Sequence, residues 1–202
     1  MISLEIPWDD VAARNPDKLE WFSQVLTYLP KQFDGWWIAG GAIRGLFIEE
    51  EFNDIDFFFR GEDRLKFFTN EMNLIAGSPV ADNDFNTTWE FTAKINGLHT
   101  KLKVQAIKIF GGDLVNSLAN FDYTICQFGY DGKNFQVTPV ALLDAAARRL
   151  VVHKITFATA SMRRMLKYGT KGYTVCQGCM ATLLQAVADN PEVIRHDIKY
   201  VD

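Results

Sequence analysis

Apolar positions along the chain fall first at helical spacing. Leu19, Phe22, Val25, Leu26 and Leu29 follow Asn15-Pro16-Asp17, so an amphipathic helix begins near Pro16 and ends near Pro30. The pattern then changes. Trp36-Trp37-Ile38-Ala39 is a short apolar run after Gly35, closed by Gly40-Gly41. Residues 42–50 suit a helix, so the segment predicts strand, tight turn and helix. Asn53-Asp54-Ile55-Asp56-Phe57-Phe58-Phe59 predicts a second buried strand with carboxylates at its entry, and residues 62–75 a helix after it.

Residues 88–110 carry the clearest local signal. Thr88, Glu90, Thr92 and Lys94 alternate with Trp89, Phe91, Ala93 and Ile95, and Asn96-Gly97 follows, a pair favoured in a two-residue type I′ turn. A return strand runs from Leu98, with His99, Lys101, Lys103 and Gln105 on one face and Leu102, Val104 and Ala106 on the other. Such a hairpin sets Ile95 opposite Leu98 and Glu90 opposite Lys103. The remaining pattern predicts a short helix over 113–118, a strand over 122–130, a hairpin return over 135–137 and a helix over 140–148. Helical segments over 158–168, 179–188 and 191–200 follow, with Asn190-Pro191 as a break. The expected fold is α/β (α+β): a mixed, mostly antiparallel sheet of about five strands, helices on one side, and a short C-terminal helical extension.

Composition narrows the class. The 202 residues are 48% hydrophobic and 13% aromatic, with 16 Phe, enough apolar surface to offset ordering entropy and exclude disorder. A net charge of −4 argues against coating nucleic acid by charge alone and leaves room for a local basic groove. No apolar run approaches the roughly 20 residues that cross a bilayer, and Met1-Ile2-Ser3-Leu4-Glu5-Ile6-Pro7 lacks the basic and apolar regions of a signal peptide. Three cysteines, Cys126, Cys176 and Cys179, are too few for a disulfide framework, so a cytoplasmic, reducing setting is expected.

Asp54 and Asp56 lie one residue apart on a predicted strand, which sends both carboxylates to one side. Held close, they repel, and a hard divalent cation relieves the repulsion. A solvated strand end is the plainer account of such a pair. Upstream, Gly40-Gly41 stands at a strand-to-helix turn with Arg44 one turn on. Glycines permit close backbone approach, and the amides of a helix start suit phosphate. A tight turn needed only for packing is the alternative. A phosphate cradle beside a metal site suggests nucleotidyl transfer.

Gly40-Gly41-Ala42-Ile43-Arg44 followed by Asn53-Asp54-Ile55-Asp56 resembles the head domain shared by class II CCA-adding enzymes and bacterial poly(A) polymerases, within the DNA polymerase β-like nucleotidyltransferase superfamily. Asp122-Tyr123-Thr124-Ile125, continuing to Tyr130-Asp131-Gly132, is similar to that family's Arg-Asp-Phe-Thr-Ile-Asn strand and the Tyr-Asp after it. Arg164-Met165-Leu166-Lys167-Tyr168 resembles the helix bearing its base-reading arginine. Order and spacing agree from about residue 35 to 168. The resemblance implies a nucleotidyltransferase fold, with 1–155 as a head-like domain and 156–202 as a neck-like remnant. It implies two-metal catalysis with Mg²⁺ or Mn²⁺ and an NTP substrate. Asp54 and Asp56 would be metal ligands. Gly40 and Gly41 would meet phosphates, and Arg44 would steady the turn or reach a phosphate oxygen. Asp122, Arg164 and Lys167 would bind nucleotide.

The chain departs from that family in several places. The third carboxylate expected on a neighbouring strand is absent, and Lys103 and Gln105 occupy the candidate positions. Glu90 could supply a catalytic carboxylate or pair with Lys103 as a structural ion pair. The base-reading Glu-Asp-x-x-Arg is here Ala160-Ser161-Met162-Arg163-Arg164, and Asn120-Phe121 precedes Asp122 where the family has arginine. Selection of C and then A is therefore unsupported. Arg164, Lys167, Tyr168 and Lys171 share one helical face, readable as a solvated basic face or as one that meets triphosphate or an acceptor strand. Cys176 and Cys179 have spacing that suits zinc with the distant His153 and His196, or buried thiols. Trp36 and Trp37 read as strand core.

The function expected is a compact nucleotidyltransferase that moves a nucleoside monophosphate from an NTP to a hydroxyl acceptor, RNA among the candidates, with no membrane partner. The alternative is a catalytically lapsed module of the same fold that binds nucleotide, RNA or a protein partner.

Overall fold

A computed structural model describes residues 2–31, 33–48, 50–52, 54–109 and 111–189. Asn53, Phe110 and the expected helix over 191–200, with His196, lie outside the described residues. The chain begins with β1 (Leu4–Pro7) and α1 (Trp8–Arg14), two elements too short to show in the pattern, and continues into α2 (Pro16–Leu26). Pro16 opens α2 where a missing amide costs nothing, and Leu19, Phe22 and Val25 are its buried stripe. The strand, turn and helix expected next are β2 (Trp36–Ala39) and α3 (Gly41–Phe47), followed by β3 (Ile55–Phe59) and α4 (Glu62–Ala76).

A two-residue strand β4 (Ala81–Asp82) precedes the hairpin of β5 (Asn86–Ile95) and β6 (Leu98–Ile107). Its register sets Ile95 opposite Leu98 and Glu90 opposite Lys103, as the Asn-Gly turn requires, with positive φ at both Asn96 and Gly97. Helix α5 (Leu114–Asn120) is capped by Asp113, whose side chain accepts the Asn116 amide. The strand expected over 122–130 is instead a 3₁₀ turn at Thr124–Cys126 and a short β7 (Phe128–Tyr130). β8 (Asn134–Val137), α6 (Pro139–Ala146) and β9 (Arg149–Leu150) follow, then α7 (Ala158–Thr170), β10 (Thr174–Val175) and α8 (Gln177–Asp189).

Among the described residues the main sheet has eight strands rather than about five, in the order β1-β8-β7-β2-β3-β6-β5-β4. The additional strands are short edge pieces. Every neighbour pair is antiparallel except β3 with β6. β9 and β10 form a separate parallel pair. Alternation along β2 and β3 divides the core between the two faces: Trp36, Ile38, Phe57 and Phe59 pack with α2 and α4, and Trp37, Ala39 and Phe58 with Leu114 and Leu118 of α5. Helices therefore lie on both faces, most of them on the first. Phe68 of α4 anchors that face, with ring centroids 4.5 Å from Phe57 and 5.1 Å from Phe59. Asp56 shares the α5 face with Phe58, and α5 leaves its end of that face open. On β7, a Cβ at Gly129 would come within 2.3 Å of Leu114, so the glycine lets α5 close against the sheet.

Candidate functional site

The open end of the α5 face forms a cleft of about 320 Å³ lined by Gly40, Gly41, Asp54, Asp56, Phe121, Asp122, Arg163, Arg164 and Lys167, among others. That volume falls within the range of small-molecule sites. The β2 to α3 turn makes its floor. Gly40 has φ +95°, a value L side chains rarely adopt, and its amide donates to the Phe128 carbonyl at 2.8 Å. That amide is therefore unavailable to a ligand, and the first-turn amides of α3, beginning with Gly41, remain as helix-start donors.

Arg44 also lines the cleft, yet it is 1% exposed and engaged with protein. It donates to Glu50 Oε1 at 2.6 Å and to the Ile125 carbonyl at 3.0 Å, and lies over the Tyr168 ring at 5.2 Å. Of its two expected roles, the geometry fits steadying the turn. Glu50, which nothing in the motif pattern marked, is a hub: Arg148, Lys171 and Tyr173 converge on it at 3.0, 3.0 and 2.8 Å. Burial alone would raise its pKa, but hydrogen bonds from Arg44, Lys171 and Tyr173 outweigh burial and hold it at about 2. Gly45 makes this possible, because a Cβ there would sit 2.8 Å from the Glu50 carbonyl oxygen and from Phe52.

Asp54 and Asp56 are half-buried and both face the cleft. Burial first, and the Asp54 charge second, push Asp56 well above the usual carboxylate range, against the pull of Arg164, Lys167 and Lys103. On the neighbouring strand Gln105 pairs in register with Asp56, is buried, and donates to Thr88 Oγ1 at 3.1 Å. A neutral amide thus stands where a third carboxylate was sought. Glu90 is exposed and lines a separate groove with Lys103, Phe91 and Trp21, outside the cleft. In register Asp56 stands beside Gln105 and Thr88, and Glu90 lies two positions farther along the hairpin, opposite Lys103. Among the described residues no group of three His, Cys, Asp or Glu side chains could hold a metal ion, so Cys176 and Cys179 have no third partner of that kind.

Helix α7 closes the cleft from above. Asp122 Oδ2 accepts from Ser161 Oγ and Arg164 Nη1, both at 2.8 Å, while its buried Oδ1 has no hydrogen-bond partner among the described residues. Tyr123 donates to the Ser161 carbonyl at 2.6 Å, and the Tyr168 hydroxyl lies 3.1 Å from Cys126 Sγ. Tyr168 is thereby used in docking α7, with Tyr123 and Tyr173 against its ring edges. Arg163, Arg164, Lys167 and Lys171 line the same cleft as Asp54 and Asp56, with Arg163 and Lys167 exposed to solvent.

The family model of the Gabija anti-defense 2 family matches residues 14–149, a span that includes Gly40, Asp54, Asp56 and Asp122. The chain belongs to the Gabija anti-defense 2 family. A family relative, "Gabija anti-defense 2" of Bacillus phage SPbetaL7, is 31% identical over 142 residues, covering 68% of this chain and 34% of its own length. The chain thus spans about a third of that relative. Among solved structures, a CCA-adding enzyme in complex with CTP is similar at TM-score 0.63 and 15% identity, over 97% of this chain and 49% of that one. The Thermotoga maritima CCA-adding enzyme complexed with tRNA gives 0.58 and 15%, over 94% and 46%. A CCA-adding enzyme in complex with ATP gives 0.62 and 16%, over 97% and 47%. The likeness shows that this Gabija anti-defense 2 family member shares its fold with these CCA-adding enzymes. No helix among the described residues is long and apolar enough to cross a membrane.

Proposed function

We propose that this Gabija anti-defense 2 family member is a compact nucleotidyltransferase that moves a nucleoside monophosphate from an NTP to a hydroxyl acceptor. The observation that carries the reading is the opposition of charge across the cleft: Asp54 and Asp56 on the sheet, and Arg163, Arg164, Lys167 and Lys171 on and just after α7. A triphosphate with its divalent cation is the ligand that satisfies both walls at once.

The donor set fits such a cation. Mg²⁺ is commonly held by one or two carboxylates, with water and substrate phosphate supplying the rest, and the mutual repulsion of Asp54 and Asp56 is what a cation relieves. Asp54 and Asp56 would hold Mg²⁺ or Mn²⁺, which supplies charge neutralisation at the transferring phosphoryl group and the leaving pyrophosphate. In the transfer, a bond forms between the acceptor oxygen and the α-phosphorus. The bond to the bridging oxygen breaks, pyrophosphate departs, and the hydroxyl proton passes to solvent.

Gly40 and Gly41 keep the floor open to the phosphates. Lys167 meets phosphate oxygens, while Lys171 stays on Glu50 and adds positive charge to the wall. Arg164, held by Asp122 Oδ2, donates to the base edge. The carboxylate that the base-reading motif lacks at Ser161 is thus supplied from another segment, since Ser161 itself bonds to Asp122. The family name of the phage relative links this chemistry to antagonism of Gabija defence, with RNA among the candidate acceptors.

Calorimetry with each NTP and Mg²⁺ or Mn²⁺, on wild type and on the Asp54→Ala, Asp56→Ala double variant, tests the reading. Binding that needs both the metal and the aspartates, with pyrophosphate release once an acceptor is present, supports it. Absence of NTP binding by wild type under either metal would end it. The second reading, a lapsed module that binds nucleotide, RNA or protein, is favoured by Gln105 and Lys103 beside Asp56. It predicts binding without pyrophosphate release under any metal.

A further inference from the structure

Cys176 and Cys179 lie outside the cleft, at the start of α8. Cys176 is exposed, Cys179 is buried, and their Sγ atoms are 3.5 Å apart. Cys176 holds the capping position: its carbonyl accepts the Met180 amide at 3.2 Å, and its Sγ accepts the Cys179 amide at 3.4 Å, as a Ser or Asp oxygen does at other helix starts. Behind it, Cys179 Sγ donates to the Leu150 carbonyl at 3.3 Å. One sulfur therefore faces solvent, and the second waits beside it. Gly178 between them brings no side chain over Cys176.

We propose that Cys176 and Cys179 form a dithiol site that small-molecule disulfides oxidise to an intramolecular disulfide, with Cys176 as the attacking sulfur and Cys179 as the resolving one. The Cys176 thiolate attacks one sulfur of the disulfide RSSR, a mixed disulfide forms, the RSSR bond breaks and RS⁻ leaves. Cys179 then attacks the Cys176 sulfur, its thiol proton passes to the second departing RS⁻, and the internal S–S bond forms. Two protein thiols are oxidised and one disulfide is reduced to two small thiols. Closing the gap to about 2.05 Å needs side-chain movement of roughly 1.5 Å. The hydrogen bond from the Cys179 amide holds the Cys176 thiol below its ordinary range, whereas burial raises Cys179. That division suits an attacker and a resolver.

The test is intact mass and iodoacetamide mapping of the whole chain, reduced or treated with oxidised glutathione. Wild type should lose two hydrogens, become unreactive at both Cys176 and Cys179, and recover with dithiothreitol. Buried Cys126 serves as the internal control. In the reduced protein, Cys176 should alkylate on the order of tenfold faster than Cys179. Cys179→Ser should stop at a stable glutathione adduct on Cys176, and Cys176→Ser should take up none over the same time. Should Cys179→Ser unfold, Cys179→Ala gives the same readout. A stable glutathione adduct on wild type, or an adduct on Cys179 in Cys176→Ser as fast as that on Cys176 in wild type, would overturn the proposal. Neither readout depends on NTP binding, so this inference and the nucleotidyltransferase reading fail separately.

Discussion

Arg44 and Glu50 form a buried ion pair at 2.6 Å, with side chains 1% and 7% exposed. The pair joins the helix after the glycine turn to Arg148, Lys171 and Tyr173 near the C-terminal helices. Both walls of the cleft are thus held at one carboxylate. Removing one partner of a buried pair leaves the other charge uncompensated, which costs about 3–5 kcal/mol. Glu50→Gln should lower stability by that order in denaturant unfolding, with Arg44 left without its counter-charge.

The same pair sets an acid limit. Glu50 titrates lower in the folded chain than its ordinary value near 4.5, at about 2. A depressed carboxylate contributes stability in full above its unfolded value and loses it as the pH falls toward the folded one. Wild type should therefore lose stability between about pH 4.5 and pH 2, and Glu50→Gln should show a flatter profile there by thermal unfolding.

Asp56 has the opposite sign. Its raised pKa means that the folded state takes up a proton before the unfolded chain does, so the ionised carboxylate reduces stability above its unfolded range. Asp56→Asn should raise the melting temperature at neutral pH without metal, and should abolish metal-dependent NTP binding. A fall in melting temperature would show that Asp56 is held by favourable contacts instead.

Lys103 lowers Asp56 through its charge and so competes with a cation at that position. Lys103→Glu should tighten Mn²⁺ binding by several-fold in a direct titration. Unchanged affinity would place Lys103 outside the influence of the metal site.

Arg164 is held by Asp122 at 2.8 Å with its guanidinium turned into the cleft. Arg164→Lys keeps the charge and loses the planar fork. It should narrow the difference in affinity among the four NTPs while leaving the metal requirement in place. Equal discrimination before and after would remove Arg164 from base selection.

Much of this was legible in the chain. Period-two alternation and Asn96-Gly97 set the β5–β6 register, because a two-residue turn leaves one pairing. Gly40-Gly41 before Ala42 marked the turn, and the spacing of Asp54 and Asp56 placed both carboxylates on one face. Those are local rules of backbone sterics and side-chain direction, and they act within a few residues. The short strands β1, β4, β9 and β10 escaped notice, since two to four residues without an apolar run such as Trp36–Ala39 leave nothing to read.

Distance in sequence hid the rest. Glu50 sits between a helix and a strand with no motif around it, and becomes a hub only when residues 98 and 121 positions away fold onto it. Asp122 meets Arg164 across 42 positions, so the carboxylate missing at Ser161 could not be sought along the same helix. Glu90 shows the reverse: its register was right, yet its distance from Asp56 depends on how far the hairpin extends past the cleft. Local periodicity determined which residues share a face. Packing of α7 against the sheet decided which charges oppose one another across the cleft, because that depends on long-range burial and ion pairing that no local pattern encodes.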